Sequence, residues 1–289
     1  PSGNQVKGQT RREPVGVIAG IIPWNVPFMM AIWKVAPALA AGCTVVLKPA
    51  EDTSLTALFL GNLVLEAGFP PGVVNIVTGT GQEVGQPLIE HPLVSKVFFT
   101  GSTITGIAVG RTAASHTKQV SLELGGKSPT IIFADADLEA AAAGAAESIF
   151  LNSGQICVAG SRLYVQKSAY DDVVNRVASI ASKHVVGGSL DPATTLGPLI
   201  SRRHKGRVEA YIDAAESDGA ELISSHTVPE QGFFVAPTIV TGAKHGAAIT
   251  QEEVFGPVLS IYPFDDEVDA LQAANGTQYG LAATVGPRA

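Results

Sequence analysis

Short apolar runs alternate with longer segments of helical periodicity along the first 126 residues of the chain. The short runs predict buried strands, and the longer segments place apolar side chains at the spacing of a helix face. Strands are predicted at 15–22, 43–48, 73–77, 94–101 and 119–126, and helices at 28–41, 53–67, 83–91 and 102–114. This alternation is typical of βαβ units that build a parallel sheet.

The same alternation continues after a glycine-rich segment that contains Gly125, Gly126 and Pro129, which we interpret as a hinge. Further strands are predicted at 128–133, 162–166 and 256–264, and helices at 137–150, 170–183, 202–217 and up to 274. The pattern predicts an α/β protein with two domains, residues 1–126 around a parallel sheet and residues 127–289 around a second sheet.

Composition adds that the chain is a globular protein, because 46% of its 289 residues are hydrophobic and only 16% are charged. The formal net charge is −7 and no basic run is present, which argues against nucleic-acid binding. Residues 14–33 are uncharged and long enough to span a bilayer, but Pro14, Pro23 and Pro27 interrupt them. Lipid cannot replace the lost backbone hydrogen bonds, so we predict no membrane segment.

The numbers of cysteines and histidines bear on cellular location and on metal binding. Two cysteines are too few for a disulfide framework and no signal peptide is visible, so we expect a cytoplasmic protein. The six histidines lack the spacing of metal ligands, and no metal site is predicted. The chain starts at Pro1 and stops within a predicted strand, so we expect a fragment or a chain trimmed at both ends.

Three residues could carry chemistry, and each has a structural alternative. Cys157 lies in the glycine-bordered stretch LNSGQICVAGSR, as either a packing thiol or a nucleophile, whereas Cys43 opens an apolar strand and is predicted to pack. Glu123 is either a solvent-facing strand residue or a general base. Asn25, between two prolines, either makes a turn or donates its amide to an oxyanion.

Three stretches could hold a dinucleotide. Gly101 and Ser102 stand where a strand meets a helix, whose free N–H groups suit a pyrophosphate, although an ordinary helix cap explains them too. Lys48 and Glu51 follow a strand, where they are either ribose contacts or solvated charges. The segment TGTGQEVG, with Gly81, has one residue too many for the dinucleotide fingerprint and fits a glycine turn as well.

The order of these motifs is more informative than any one of them. PWN, KPAEDTSLTA, AGFPPGVVNIVTG, FTGST, LELGGKSP, NSGQICVAGSR, ATTLGPLIS, APTIV and EEVFGPVL follow one another along the chain. Together they closely resemble the NAD(P)-dependent aldehyde dehydrogenase superfamily, from about Thr10 to Val285. The resemblance implies a Rossmann-like cofactor domain at 1–126, with the start of an oligomerisation strand, and a catalytic domain at 127–289, both incomplete relative to the family.

The resemblance also implies roles for the chemical residues. Cys157 would attack an aldehyde, and the Asn25 side chain with the Cys157 backbone N–H would hold the oxyanion. After hydride loss to NAD, Glu123 would activate water to release a carboxylic acid. The residues implied to contact the cofactor are Ile22, Pro23, Trp24, Lys48, Glu51, Gly81, Gly101, Ser102, Leu124, Glu253 and Phe255. Those implied to line an apolar substrate tunnel are Met30, Trp33, Phe150, Ile156 and Val158.

Several alternatives stay open at this point. Glu51 at the ribose favours NAD over NADP, because a carboxylate repels a 2′-phosphate. Glu123 favours hydrolysis of the thioester over transfer to CoA, since the CoA-acylating relatives commonly lack that glutamate. An inactive fragment that serves as a binding or assembly module is the third possibility. The resemblance implies a homodimer or homotetramer, and the aldehyde remains unspecified.

Overall fold

The structure is a computed structural model that describes residues 8–224 and 227–286. The chain divides into two compact units, Pro1–Glu123 and Leu124–Ala289. The boundary predicted between residues 126 and 127 lies three residues further along the chain. No helix in the described part of the chain is long and apolar enough to cross a bilayer.

The first unit is built around a five-stranded sheet whose paired strands are all parallel. Its strands are β1 (Val17–Ile21), β2 (Thr44–Lys48), β3 (Val74–Ile76), β4 (Val94–Thr100) and β5 (Gln119–Glu123). Its helices are α1 (Pro27–Ala40), α2 (Ser54–Glu66), α3 (Gln86–Glu90) and α4 (Thr103–Ser115). The strand order β3-β2-β1-β4-β5 reverses between β1 and β4, which is where dinucleotides bind in doubly wound sheets.

The apolar runs of β1, β2 and β4 form strands that contain fully buried residues, whereas the edge strand β5 has none. Ala19, Val45 and Val97, each in the middle of a strand, are fully buried. The core between α1, α2 and the sheet contains Cys43, which is 4% exposed and packs as predicted. The predicted strand at 119–126 ends at Glu123, so Glu123 is the last strand residue rather than an internal one.

The second unit contains a six-stranded sheet in the order β11-β6-β7-β10-β9-β8. Its strands are β6 (Pro129–Ile132), β7 (Arg162–Gln166), β8 (Glu221–Ile223), β9 (Thr238–Thr241), β10 (Val258–Phe264) and β11 (Thr284–Val285). Its helices are α5 (Leu138–Phe150), α6 (Tyr170–Ala181), α7 (Arg202–Ser217), α8 (Ala248–Gln251) and α9 (Glu267–Ala274). Alanines on one side of α5 allow it to pack closely on α6 and the sheet.

Three elements of this unit were not predicted from the apolar pattern: β8, β9 and α8. Each has three or four residues, which is too short for a periodicity of two or of 3.6 to be distinguished. β8 also runs antiparallel to β9, which makes this sheet mixed. The pairing of β8 with β9 and of β9 with β10, rather than local sequence, therefore fixes the two strands.

Candidate active site

Four candidate residues of the first unit lie at the carboxyl edge of its sheet. Lys48 is the last residue of β2 and Glu123 the last of β5, while Asn25 follows β1 and Gly101 follows β4. The carboxyl ends of parallel strands lie at one edge, and open α/β sheets bind ligands there. The strand order thus brings residues from four separate motifs to the ligand-binding edge of this unit.

Lys48 and Glu51 form a pair directly after β2. The buried Lys48 Nζ donates to Glu51 Oε1 at 3.1 Å and to the Pro49 carbonyl at 2.9 Å. Burial acts to raise the pKa of Glu51, but hydrogen bonds from backbone N–H groups, including that of Gly81, and from Lys48 outweigh it and lower the pKa. Glu51 is therefore an oriented carboxylate that can accept hydrogen bonds from the hydroxyl groups of a ribose.

The start of α4 offers donors at the same edge. The Ser102 hydroxyl caps the helix by accepting from the Thr105 N–H at 3.4 Å. Gly101 precedes it, and a Cβ there would lie 2.6 Å from the tip of the Phe99 ring, so a larger residue would displace that ring. The tight strand-to-helix turn leaves the first N–H groups of a 13-residue helix available to an anion.

A buried lysine, Lys34, belongs to this edge and was not predicted as a site residue. Its Nζ donates to Thr100 Oγ1 at 2.6 Å and lies 3.8 Å from the centre of the Phe98 ring. Burial lowers the pKa of Lys34 to about 8, against the opposing effect of the Glu123 charge. The sequence contained one signal for it: Lys34 directly follows residues 14–33, which carry no charge.

The second unit gathers its candidates at the amino edge of its own sheet. β6, β7 and β10 are adjacent and parallel, so the segments that lead into them meet. Those segments contain Gly126, Cys157 and Phe255. A Cβ added to Gly126 would collide with the Cys157 carbonyl oxygen, so only glycine permits this approach.

The turn before Cys157 is left-handed over three consecutive residues. Asn152, Ser153 and Gly154 have φ angles of 51°, 54° and 73°, a region that residues with a side chain rarely adopt. The Ser153 hydroxyl donates to the Gly197 carbonyl at 2.8 Å. These contacts hold the half-buried Cys157 on a strained, anchored turn rather than in a core.

Gln155 provides a second anchor for this turn. Its Oε1 accepts from the Ile200 N–H at 3.0 Å, and its Nε2 donates to the Asn152 carbonyl at 3.0 Å. Gln155 is only 4% exposed, so both bonds are shielded from water. Gln155 of the cysteine motif is therefore hydrogen-bonded to the GPLIS segment at 197–201, for which the sequence alone indicated no role.

The segment of Glu253 and Phe255 is also tightly held. Glu253 Oε1 accepts from the Gly126 N–H at 3.1 Å, and burial raises the pKa of this carboxyl against that hydrogen bond. Phe255 has a φ of 62°, which is unusual for an aromatic residue. A Cβ at Gly154 would collide with the Gly256 carbonyl, so this segment and the cysteine turn are in backbone contact.

Comparison with known proteins establishes the family of this chain. The sequence model of the aldehyde dehydrogenase family matches residues 1–287. The chain belongs to this family. It is 50% identical to the phenylacetaldehyde dehydrogenase of Pseudomonas fluorescens over 99% of this chain and 57% of that protein. It is 47% identical to the putative aldehyde dehydrogenase DhaS of Bacillus subtilis, over 95% of this chain and 56% of that protein.

Solved structures of the aldehyde dehydrogenase family have the same fold. The NAD-dependent aldehyde dehydrogenase from Sinorhizobium meliloti is 45% identical with a TM-score of 0.93, over 95% of this chain and 55% of that chain. The NAD+ complex of the Bacillus cereus aldehyde dehydrogenase is 46% identical with a TM-score of 0.94, over 96% of this chain and 57% of that chain. The chain spans about half the length of the curated relatives it matches. The predicted Rossmann-like sheet followed by a second α/β unit is confirmed.

The residues predicted to line a substrate tunnel differ in exposure. Met30 and Phe150 are packed into the cores of their respective units, at 5% and 2% exposure. Trp33 and Val158 are exposed, and Ile156 is half-buried. Only Trp33, Val158 and Ile156 therefore expose apolar surface, and the assignment of the whole set to a substrate tunnel stays a prediction.

Lys127 is another buried charge that was not predicted. It is 2% exposed, and burial, followed by the neighbouring Arg162 charge, lowers its pKa to about 7. Its carbonyl accepts from Arg162 Nε at 2.9 Å. This hydrogen bond fixes the backbone directly after Gly126, which contacts the Cys157 carbonyl.

The described residues contain no cluster of three or more His, Cys, Asp or Glu side chains suited to a metal ion.

Gly154→Ala is expected to destabilise the second unit by about 3 kcal/mol, the sum of left-handed strain and a steric clash. The new methyl group would meet the Gly256 carbonyl, and no flexible side chain is available to move aside. Urea unfolding of the two proteins measures the difference. Gly144→Ala in α5 is the matched control, because nothing lies within 4 Å of its added Cβ. We expect that control to be neutral or stabilising, and equal stability of the two variants would contradict the proposed clash.

Proposed function

We propose that this chain carries the catalytic residues for NAD-dependent oxidation of an aldehyde to a carboxylic acid. The observation that carries the proposal is the setting of Cys157, on an anchored left-handed turn against the Gly126 backbone and beside the Glu253–Phe255 segment. The other cysteine, Cys43, is buried in an apolar core. A packing thiol needs neither backbone strain nor polar anchors, whereas a nucleophile needs a fixed direction of attack.

Cys157 performs the first step as a thiolate. Its sulfur bonds to the aldehyde carbon, and the carbonyl oxygen becomes an oxyanion. The Asn25 amide and the Cys157 backbone N–H donate hydrogen bonds to that oxygen. Loss of hydride from the same carbon leaves a thioester on Cys157.

Glu123 performs the second step as a general base. It removes a proton from water, whose oxygen adds to the thioester carbon. The carbon–sulfur bond then breaks, the carboxylic acid leaves and Cys157 regains its thiolate. The Glu123 charge also acts on the buried Lys34, whose pKa it raises against the larger opposite effect of burial. Both side chains belong to the first unit.

The residues of the first unit fit a nicotinamide dinucleotide. NAD, when bound, supplies the acceptor for the hydride. The reversal of strand order between β1 and β4, the free start of α4 and the ionised Glu51 are the features that such a ligand requires. Lys48 and Glu51 would hold the adenosine ribose, and Gly101 with Ser102 the pyrophosphate. The Bacillus cereus relative was solved as an NAD+ complex, which agrees with this assignment.

The remaining cofactor contacts are proposals from the same resemblance. Glu253 and Phe255 would face the nicotinamide half, and Ile22, Pro23, Trp24, Gly81 and Leu124 would complete the binding surface. Glu51 favours NAD over NADP, because its charge repels a 2′-phosphate. Homo-oligomerisation and a cytoplasmic location stay predictions.

The substrate class is an aldehyde with an apolar substituent. Trp33 and Val158 are the exposed apolar members of the proposed tunnel. The names of the relatives include phenylacetaldehyde, 2-aminomuconic semialdehyde and aminoaldehydes, which range from apolar to charged. The exposed pair favours the apolar end of that range.

The test uses the polypeptide that the gene encodes, with a panel of aliphatic, aromatic and amino aldehydes. We expect NADH formation with an apolar aldehyde, at a rate that omission of CoA leaves unchanged, and a higher kcat/KM with NAD than with NADP. Mass spectrometry of the product distinguishes a free acid from an acyl-CoA. A strict need for CoA would favour the acylating alternative, and the absence of any turnover together with the absence of NAD binding would favour a non-enzymatic module.

A further inference from the structure

One side of α7 holds the segment that contains Glu253 and Phe255. His204 Nε2 donates to the Phe255 carbonyl at 2.7 Å, and Arg207 Nη2 donates to the Glu253 carbonyl at 2.8 Å. One turn further, the Tyr211 hydroxyl donates to Glu252 Oε2 at 2.6 Å. Residues three, four and seven apart lie on one face of a helix, so a single face makes all three contacts.

Phe255 is the member of this segment whose conformation most needs support. Its φ of 62° places the backbone in the left-handed region, which costs about 1–2 kcal/mol for a residue with a Cβ. The next residue, Gly256, packs closely on α7, because a Cβ there would lie 2.7 Å from Val208. The orientation of the Phe255 peptide is therefore set from outside the segment.

His204 is the side chain that contacts this peptide. A carbonyl only accepts, so Nε2 carries the hydrogen. His204 is half-buried, and its ring also meets the Phe255 ring edge-on at 6.0 Å between centroids. Burial lowers the pKa of His204 against the opposing effect of the hydrogen bond to the Phe255 carbonyl. The lowered pKa favours the neutral ring, in which Nε2 is the donor to that carbonyl.

We infer that His204 is a positioning residue, which fixes the Phe255 carbonyl and so holds the Phe255 ring and the Glu253 carboxylate in the orientation that receives the nicotinamide half of the cofactor. His204 acts through the backbone of Phe255, so it is not a catalytic residue. The inference rests on the proposed function, because it requires that Glu253 and Phe255 contact the cofactor.

A matched pair of His204 variants separates the hydrogen bond to the Phe255 carbonyl from the presence of a polar side chain at position 204. The amide nitrogen of glutamine reaches nearly as far as imidazole Nε2, whereas that of asparagine reaches only as far as Nδ1. His204→Gln keeps the donor for the Phe255 carbonyl, and His204→Asn loses it while remaining polar. Tyr211→Phe is the control on the same helix face, because it removes the bond to Glu252 and leaves the Phe255 peptide untouched.

The measurements are KM for NAD, kcat, and the dissociation constants of NAD and of AMP, which carries only the adenosine half. We expect His204→Asn to weaken NAD binding and raise its KM about tenfold, in line with the loss of one shielded hydrogen bond. AMP binding should be unchanged in every variant. His204→Gln and Tyr211→Phe should stay within about threefold of the parent in KM.

The outcomes distinguish the two levels of the proposal. If the parent binds NAD and oxidises aldehydes but His204→Asn has an unchanged KM, the positioning role is overturned and the proposed function stands. Equal impairment by asparagine and glutamine also overturns it, since the donor would then be irrelevant. Parallel losses of NAD and AMP binding would indicate a general structural role. A parent that binds neither nucleotide overturns both the proposed function and this inference.

Discussion

Replacing Cys157 by alanine is expected to lower the rate of NADH formation on the order of 10⁴-fold or more. Alanine has no nucleophilic atom, so no covalent intermediate can form and hydride would have to leave from a hydrated aldehyde. Ser153 and Gln155 anchor the left-handed turn through hydrogen bonds to the Gly197 and Ile200 backbone, so the fold should be retained. Steady-state NADH formation and thermal unfolding, measured on the same preparations, test both statements.

Cys43→Ala is the matched control for this experiment, because Cys43 is the only other cysteine in the sequence. It is 4% exposed in the core of the first unit, so the substitution should cost about 1 kcal/mol of stability and leave kcat unchanged. In the parent, one thiol should react readily with a small alkylating reagent, and in Cys157→Ala none should. Retained turnover in Cys157→Ala would refute the nucleophile assignment.

The elements of the first unit could largely be predicted from its apolar pattern. Strands that are buried on both faces give continuous apolar runs, and the ends of these runs at Lys48 and Thr100 are confirmed within one residue. Strand order could not be predicted in this way, because it depends on which helices pack on which face. Without the order, Lys48 and Gly101 could not be assigned to one edge of a sheet from periodicity alone.

The candidate site was less accessible to sequence analysis, for two physical reasons. The left-handed conformations of Asn152 and Ser153 are imposed by distant contacts at Gly197 and Ile200, which no local propensity reports. Lys34 would by residue type alone be taken as solvated, although its cation is buried against Phe98. The resemblance supplied the roles of Cys157, Asn25 and Glu123, and their cooperation stays a prediction that the substitutions test.

Glu123→Gln is expected to lower steady-state turnover about 10³-fold while the first turnover persists. The amide keeps the size of the side chain at the end of β5 but cannot take a proton from water. Cys157 can still attack the aldehyde and reach the thioester, so NADH should appear in a rapid burst close to one equivalent per Cys157. Stopped-flow measurement of the burst amplitude, alongside the steady-state rate, separates the two steps.

Rescue by an external nucleophile then identifies the blocked step. Hydroxylamine attacks a thioester without help from a base, forms a hydroxamic acid and releases the Cys157 thiolate, so it should restore turnover in Glu123→Gln. Glu66→Gln at the exposed end of α2 is the matched control and should behave as the parent in every measurement. A burst that disappears, with no rescue, would instead mean that Glu123 activates the thiol before it activates water.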